Sequence, residues 1–170
     1  QQPFFRNYQI KDGLLSNYIY SVFQDSKGYI WLSSDVGISR FDGQSFTNFN
    51  TANGLPDNEV FSMYEDREGR LWFATLTGKV CFYHQGRIFS EQNLPFLKNC
   101  DVKGMIINII EMDDGRMAYC STHKVLIIDL RRQKIEERPC GDGMLSAWKN
   151  QDGSLGGIGR SFARIEKGGL

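Results

Sequence analysis

Two histidines, His84 and His123, are the only side chains of this sequence whose ordinary titration falls near neutral pH. Set beside a carboxylate or another ligand, such residues serve as general bases or hold metal ions. Here they come from unlike positions of the chain's internal pattern, which argues against a shared site. No G-x-S-x-G sequence, Walker sequence or paired-carboxylate arrangement accompanies them. Nothing resembles a kinase catalytic core or a phospho-acceptor helix. Four cysteines, Cys81, Cys100, Cys120 and Cys140, show no C-x-x-C pair and no histidine at zinc spacing. Cys81 and Cys120 fall where a strand would bury a small apolar residue. A Cys100–Cys140 bridge stays open for an oxidising compartment. The chemistry on offer is binding: the expectation is no enzyme, no cofactor and no metal.

The residues that could contact a ligand are Asn17, Asp35, Asn58, Thr77 and His123, and a repeat positions them. Asp12-Gly13-Leu14 returns as Asn53-Gly54-Leu55. Asp25-Ser26-Lys27-Gly28-Tyr29-Ile30-Trp31 returns as Asp66-Arg67-Glu68-Gly69-Arg70-Leu71-Trp72. Gly37 and Phe41 return as Gly78 and Phe82, and each of these pairs is 41 residues apart, with no gap in the register. A constant period of this size, rich in strand formers, marks a propeller blade. Asp114-Gly115-Arg116-Met117-Ala118-Tyr119 is a third copy, after an insertion around Asn93–Lys103. Asp152-Gly153-Ser154-Leu155-Gly156-Gly157 is a fourth, with a compressed first strand at Leu145–Asn150. In both late copies the tryptophan position is small, Ala118 and Gly156.

One repeat reads as four strands. Tyr18–Gln24 alternates aromatic or β-branched residues with polar ones, the period-2 signature of a strand. Asp25-Ser26-Lys27-Gly28 is a turn, Tyr29–Ser33 a second strand anchored by Trp31, and Ser34–Gly37 a second turn. Ile38–Phe41 and Ser45–Phe49 follow around Asp42-Gly43. The fold class is all-β, a propeller with blades at about 14–52, 55–94, 100–139 and 143–165. Phe4–Tyr8 resembles the fourth strand Phe46–Phe49 and is expected to complete the last blade. Asp35, Thr77 and His123 then occupy the turns after second strands, which open onto one face. Asn17 and Asn58 precede the inner strands, where they could face the channel or cap turns.

Net charge is zero with no basic stripe, so nucleic acid is not implied. The longest apolar run, Met105–Ile110, is broken by Asn108 and is too short to span a bilayer, so no membrane contact by this segment is expected. A start at Gln1-Gln2-Pro3 suggests a processed secreted chain or an excised piece.

The unit Gly-Leu-x-x-Asn … Ser-x-x-x-Asp-x-x-Gly-x-x-Trp … Gly-x-x-x-Phe-Asp-Gly-x-x-Phe closely resembles the two-component regulator propeller repeat. It reads Gly13-Leu14, Asn17, Ser21, Asp25, Gly28, Trp31, Gly37, Phe41-Asp42-Gly43 and Phe46. The second copy keeps Gly54-Leu55, Asn58, Ser62, Asp66, Gly69, Trp72, Gly78 and Phe82, with Tyr83-His84 in place of Asp-Gly. The likeness covers residues 4–95 strongly and 100–165 weakly. It implies a periplasmic or extracellular sensor domain of a hybrid histidine kinase of Bacteroidetes type; sensors of that family often detect glycans, but the resemblance does not identify the ligand. The alternatives are a propeller enzyme of lyase or glycosidase type, or a structural interaction ring. Asp25-x-x-Gly28-x-x-Trp31 also resembles the Asp-box of sialidase-type propellers, where these residues stabilise a hairpin.

As partners, the reading expects an oligosaccharide or other small ligand, and either a homodimer or further blades of the parent chain. A lone arc would leave the flat faces of its end blades in water. A four-bladed ring demands steep wedge angles, and Tyr18, Tyr20 and Phe61 are bulky for its inner strands. Two chains joined head to tail are therefore the favoured closure.

Overall fold

A computed structural model describes residues 5–100, 102, 104–140, 143–159 and 162–165, with 99 and 162–165 as backbone alone. It is all-β, with four antiparallel sheets following one another along the chain. Blade 1 holds β1 (Ile19–Gln24), β2 (Ile30–Ser34), β3 (Ile38–Phe41) and β4 (Phe46–Phe49). Blade 2 holds β5 (Val60–Glu65), β6 (Leu71–Thr75), β7 (Cys81–His84) and β8 (Arg87–Phe89). Blade 3 holds β9 (Ile106–Glu111), β10 (Met117–Ser121), β11 (Lys124–Asp129) and β12 (Lys134–Pro139). Blade 4 holds β13 (Ser146–Lys149), β14 (Leu155–Ile158) and β15 (Phe162–Ile165). The only helical pieces among the described residues are single 3₁₀ turns at Ile10–Asp12, Thr51–Asn53 and Pro95–Asn99. The last of these occupies the insertion around residues 93–103 and buries Leu97, Cys100 and Val102.

The core lies between blades. Trp31 and Ile38 of blade 1 pack with Leu71, Phe73 and Cys81 of blade 2. Trp72 and Phe82 of blade 2 pack with Met117, Tyr119 and Ile128 of blade 3. Ile110, Ala118 and Val125 of blade 3 pack with Ala147 and Leu155 of blade 4. Each of the first three blades thus buries one sheet face against its successor, as stacked repeats must. Tyr119 crosses the second of these seams, its hydroxyl donating to the carbonyls of Phe73 and Cys81 at 3.1 and 3.3 Å.

Two sequence expectations need correction. The 41-residue register does not run through the third strands: Trp31 faces Arg40 across the sheet, whereas Trp72 faces Phe82. Phe41 pairs with Ile30, and the residue pairing with the equivalent Leu71 is Tyr83, so Tyr83 is the counterpart of Phe41. The cause is a turn one residue longer in blade 2. Ser34 Oγ closes on the Gly37 carbonyl, but Thr75 Oγ1 closes on that of Lys79. Gly37 is obligatory in the shorter turn: its φ is +134°, and a Cβ there would lie 2.3 Å from the Phe49 carbonyl oxygen.

The second correction concerns the opening segment. Phe4 lies outside the described residues, but residues 5–9 form no strand and do not complete blade 4, which shows three strands among the described residues. Tyr8 instead packs on Phe41 and Phe46, ring centroids 4.8 and 5.5 Å away. The turn Ile10–Asp12 holds it there. Asp12 caps the Gln9 N–H, and Asn48 of β4 donates to the Gly13 carbonyl. A connection this short keeps the segment beside blade 1.

Candidate functional site

The turns after the second strands and the connections into the inner strands do share one face. Ser16 donates to Asp35 Oδ1 at 2.8 Å, and the Thr77 N–H donates to Asp57 Oδ2 at 3.0 Å. The Leu76 N–H reaches the Glu59 carbonyl and the Thr122 N–H that of Met105. His123 lies in the corresponding turn of blade 3, its ring beside Gly104. His84 ends β7 at the turn Gln85-Gly86, on the opposite face. Asn17 and Asn58 accept from the backbone N–H groups of Ile10 and Thr51 at 3.2 and 2.8 Å. Both amides therefore brace the 3₁₀ turn before their strand. Asp35, Thr77 and His123 line the rim.

The sequence reading took Tyr20 and Phe61 only as bulky inner-strand residues, and the structure gives them a position of their own. Each inner strand of blades 1–3 carries a β-bulge at the same place. Pairing skips Tyr20 between Ile19 and Ser21, and Phe61 between Val60 and Ser62. In blade 3 it skips Ile107, since Ser121 pairs with Ile106 and Cys120 with Asn108. A bulged residue leaves the pleat and is re-aimed, a device common beside binding sites. The Tyr20 and Phe61 rings stack at 5.3 Å and 28°, and remain 44% and 37% exposed.

The Tyr20 hydroxyl donates to Glu59 Oε1 at 3.1 Å, and Asp57 Oδ1 accepts from the Glu59 N–H. Desolvation, then the hydrogen bond and charge of Glu59 and the charge of Asp35, hold the Tyr20 phenol above its ordinary pKa. The hydrogen bonds recorded for Asp35, Asp57 and Glu59 come from hydroxyl and backbone donors. The arrangement is an exposed aromatic platform rimmed by carboxylate acceptors. It can stack an apolar ring face and accept hydrogen bonds from hydroxyls.

A cleft of about 650 Å³ opens on the opposite face between blades 2 and 3, lined by Arg70, Arg116, Arg131 and Arg138. These arginines are engaged with Asp66, Glu68, Asp114 and Glu136, so it is a salt-bridge network. Among the described residues no group of three His, Cys, Asp or Glu could hold a metal ion. Among the described residues no helix is long and apolar enough to cross a membrane.

All four cysteines are buried and unbonded, so the Cys100–Cys140 bridge is not formed. Cys81 and Cys120 sit inside β6–β7 and β9–β11 packing as small apolar residues. Burial pushes the thiols of Cys100 and Cys120 up to about 12 and raises those of Cys81 and Cys140. The thiolate is the reactive form. Folded protein at mildly alkaline pH should therefore react slowly or not at all with an aromatic disulfide reagent. Four equivalents should react once denaturant is added. Rapid labelling of native protein would contradict this burial.

Residues 13–35 and 54–77 match the two-component regulator propeller family. No curated protein matches the chain. Among solved structures, the chain is similar to the extracellular domain of BT3049 from B. thetaiotaomicron, a proposed hybrid two component system, with TM-score 0.69 at 17% identity. The match covers 90% of this chain and 22% of that one. The extracellular domain of BT4673 from the same organism gives TM-score 0.54 at 13% identity, covering 85% of this chain and 28% of that one. The WD40 β-propeller domain of Doa1 gives 0.61 at 12% identity, covering 86% and 50%. The chain thus spans a quarter or so of the two extracellular domains. The first two blades thus match the two-component regulator propeller repeat in sequence, and the likeness to solved propellers shows the fold of the chain.

Proposed function

We propose that the chain is a ligand-sensing part of an extracytoplasmic propeller in a two-component sensor, and that it binds a neutral oligosaccharide without turning it over. The observation that carries the reading is the Tyr20–Phe61 stack, on the face that also bears Asp35, Thr77 and His123. Sugar rings present an apolar face to aromatics and hydroxyls to acceptors. Acceptor carboxylates at the rim suit hydroxyl donors and disfavour anionic ligands. The wide separation of the two histidines, on opposite faces, supports binding over catalysis. The repeat match and the similarity to extracellular domains of proposed hybrid two component systems support the extracytoplasmic sensor role.

Calorimetric titration with cello-, xylo- and malto-oligosaccharides tests the reading, followed by incubation of any binder and analysis for products. Tyr20→Ala and Phe61→Ala should each weaken binding roughly tenfold, the worth of one stacked aromatic contact. Their melting temperatures should stay near wild type, because both side chains are partly exposed. Asp35→Ala and His123→Ala should weaken binding less. Unchanged affinity in both aromatic variants would move the site elsewhere, and product formation would overturn the binding role.

A further inference from the structure

The residue just before each inner strand has matching backbone surroundings in blades 1–3 but a different side chain. Tyr18 precedes Ile19, which pairs with Ser34. Glu59 precedes Val60, which pairs with Thr75, and Met105 precedes Ile106, which pairs with Ser121. The N–H of Tyr18 is held by Ser16 Oγ at 3.0 Å, and that of Glu59 by Asp57 Oδ1 at 3.1 Å. The carbonyl of Glu59 accepts from the Leu76 N–H at 2.9 Å, and that of Met105 from the Thr122 N–H at 3.2 Å. A frame that stays fixed while its side chain passes from phenol to carboxylate to thioether needs none of them for folding. Such loop positions, held by a rigid scaffold, are where recognition is carried.

Glu59 differs from the other two in being aimed. The Tyr20 hydroxyl, arriving from blade 1, donates to its Oε1 at 3.1 Å. Tyr20 is itself fixed, by the bulge that turns it out of the pleat and by its stack on Phe61. Asp57 caps the Glu59 N–H with one oxygen and takes the Thr77 N–H with the other, at 3.0 Å. The backbone under Glu59 is thereby tied to the rim turn. The Tyr20 hydroxyl occupies one of about four acceptor positions on a carboxylate. Glu91, Glu111 and Glu137 are engaged by Lys79, Arg67 and Lys124, whereas Glu59 has no ion pair among the described residues. Its remaining lone pairs lie beside the aromatic platform. All of these residues belong to blades 1 and 2, whose shared seam lies inside the chain.

We infer that Glu59 is the group that reads hydroxyls on the oligosaccharide, and that the Tyr20 hydroxyl is its positioning group. Tyr20 then has two separable roles. Its ring stacks on a sugar face, and its hydroxyl fixes the carboxylate that accepts from the sugar's hydroxyls. A carboxylate held in advance binds with less loss of side-chain freedom than a mobile one. This assignment rests on the reading of the face as an oligosaccharide site, and adds which group supplies polar specificity there.

Calorimetric titration of the 170-residue chain with cello-, xylo- and malto-oligosaccharides tests it, using variants that keep side-chain shape. Glu59→Gln should bind the preferred sugar about tenfold more weakly, the loss expected of hydrogen bonds to a charged group. Tyr20→Phe retains the stacking ring and should bind about threefold more weakly. The double variant should be no weaker than Glu59→Gln alone, because the hydroxyl acts through the carboxylate. Melting temperatures of all three should stay near wild type. Losses that simply add in the double variant would overturn the positioning role, since the hydroxyl would then touch the sugar itself. Unchanged affinity in Glu59→Gln, where Tyr20→Ala still weakens binding, would overturn the assignment and leave the oligosaccharide reading standing. Absence of wild-type binding to all three sugar series would take both down together.

Discussion

Trp72→Ala should leave the protein unfolded or close to it. The side chain is 0% exposed, packs against Phe82 and Tyr119, and donates its Nε1–H to Asp66 Oδ2 at 2.7 Å. Cutting a buried aromatic back to Ala costs about 3–5 kcal/mol. A domain of this size commonly holds only roughly 5–15 kcal/mol in all. The cavity would open at a seam between two blades, so a single substitution loosens both. Trp31→Ala should behave alike, since Trp31 is equally buried and bonds Asp25 at 2.8 Å. Trp72→Phe should cost less, because it keeps most of the volume and loses mainly the hydrogen bond. Guanidinium unfolding followed by tryptophan fluorescence and circular dichroism would measure all three. A Trp72→Ala midpoint close to wild type would mean that the seam is not what holds the blades together.

The parts of this architecture that were legible in the sequence are the local ones. Asp25, Gly28 and Trp31 lie within seven residues of one another, and their bonds close one hairpin. Asp25 accepts from the N–H groups of Lys27 and Tyr29 and from the Trp31 indole. Such a unit must appear as a fixed motif, and it did, twice. Features that depend on pairing between strands were hidden. The bulges at Tyr20, Phe61 and Ile107 are defined only by what faces them across the sheet. Alternation along one strand continues straight through them. The slip that makes Tyr83 the partner of Leu71 was masked because Gly78 and Phe82 also sit 41 residues after a glycine and a phenylalanine. Trp148 falls within the strand expected at Leu145–Asn150, but its pairing with Gly156, over which the indole lies, runs across a turn and is not legible along the chain.

Contacts between blades were equally invisible, yet they follow a rule. The Glu65 carboxylate accepts from the Ser26 N–H and hydroxyl, both at 2.7 Å. One blade on, Glu111 accepts from the Arg67 N–H at 3.0 Å and from its guanidinium at 2.9 Å. At the third seam the polarity is reversed, with Lys149 donating to Asp113 at 3.0 Å. The first-hairpin residue differs at every seam (Ser26, Arg67, Asp113), but it is always tied to the end of the next inner strand. The third pair is solvent-exposed and contributes at most about 1 kcal/mol. Glu111 is buried and carries more of the load.

Asp66→Ala should be nearly as damaging as loss of the tryptophan that Asp66 holds. Its carboxylate is fully buried and accepts four hydrogen bonds. Oδ1 takes the N–H groups of Glu68 and Arg70, and Oδ2 takes Arg70 Nε and Trp72 Nε1. Removing it strands an indole N–H and weakens the tether of a guanidinium whose side chain is only 11% exposed. Breaking such a buried pair from one side costs about 3–5 kcal/mol. Asp66→Asn should be little better, because one amide oxygen cannot replace two, and the amide NH₂ would face donors. Blade 4 shows how an asparagine can work there: Asn150 accepts from Trp148 while its NH₂ donates to Ser154 Oγ, and Asp152 caps the Ser154 N–H. Ser154 occupies the place of Arg70. The double variant Asp66→Asn with Arg70→Ser should therefore be more stable than the sum of its parts by about 1–2 kcal/mol, a coupling expected of contacting residues. Denaturant midpoints of the wild type, two singles and the double would give the coupling directly. Strict additivity would show that the asparagine solution depends on the rest of blade 4 and cannot be moved between blades.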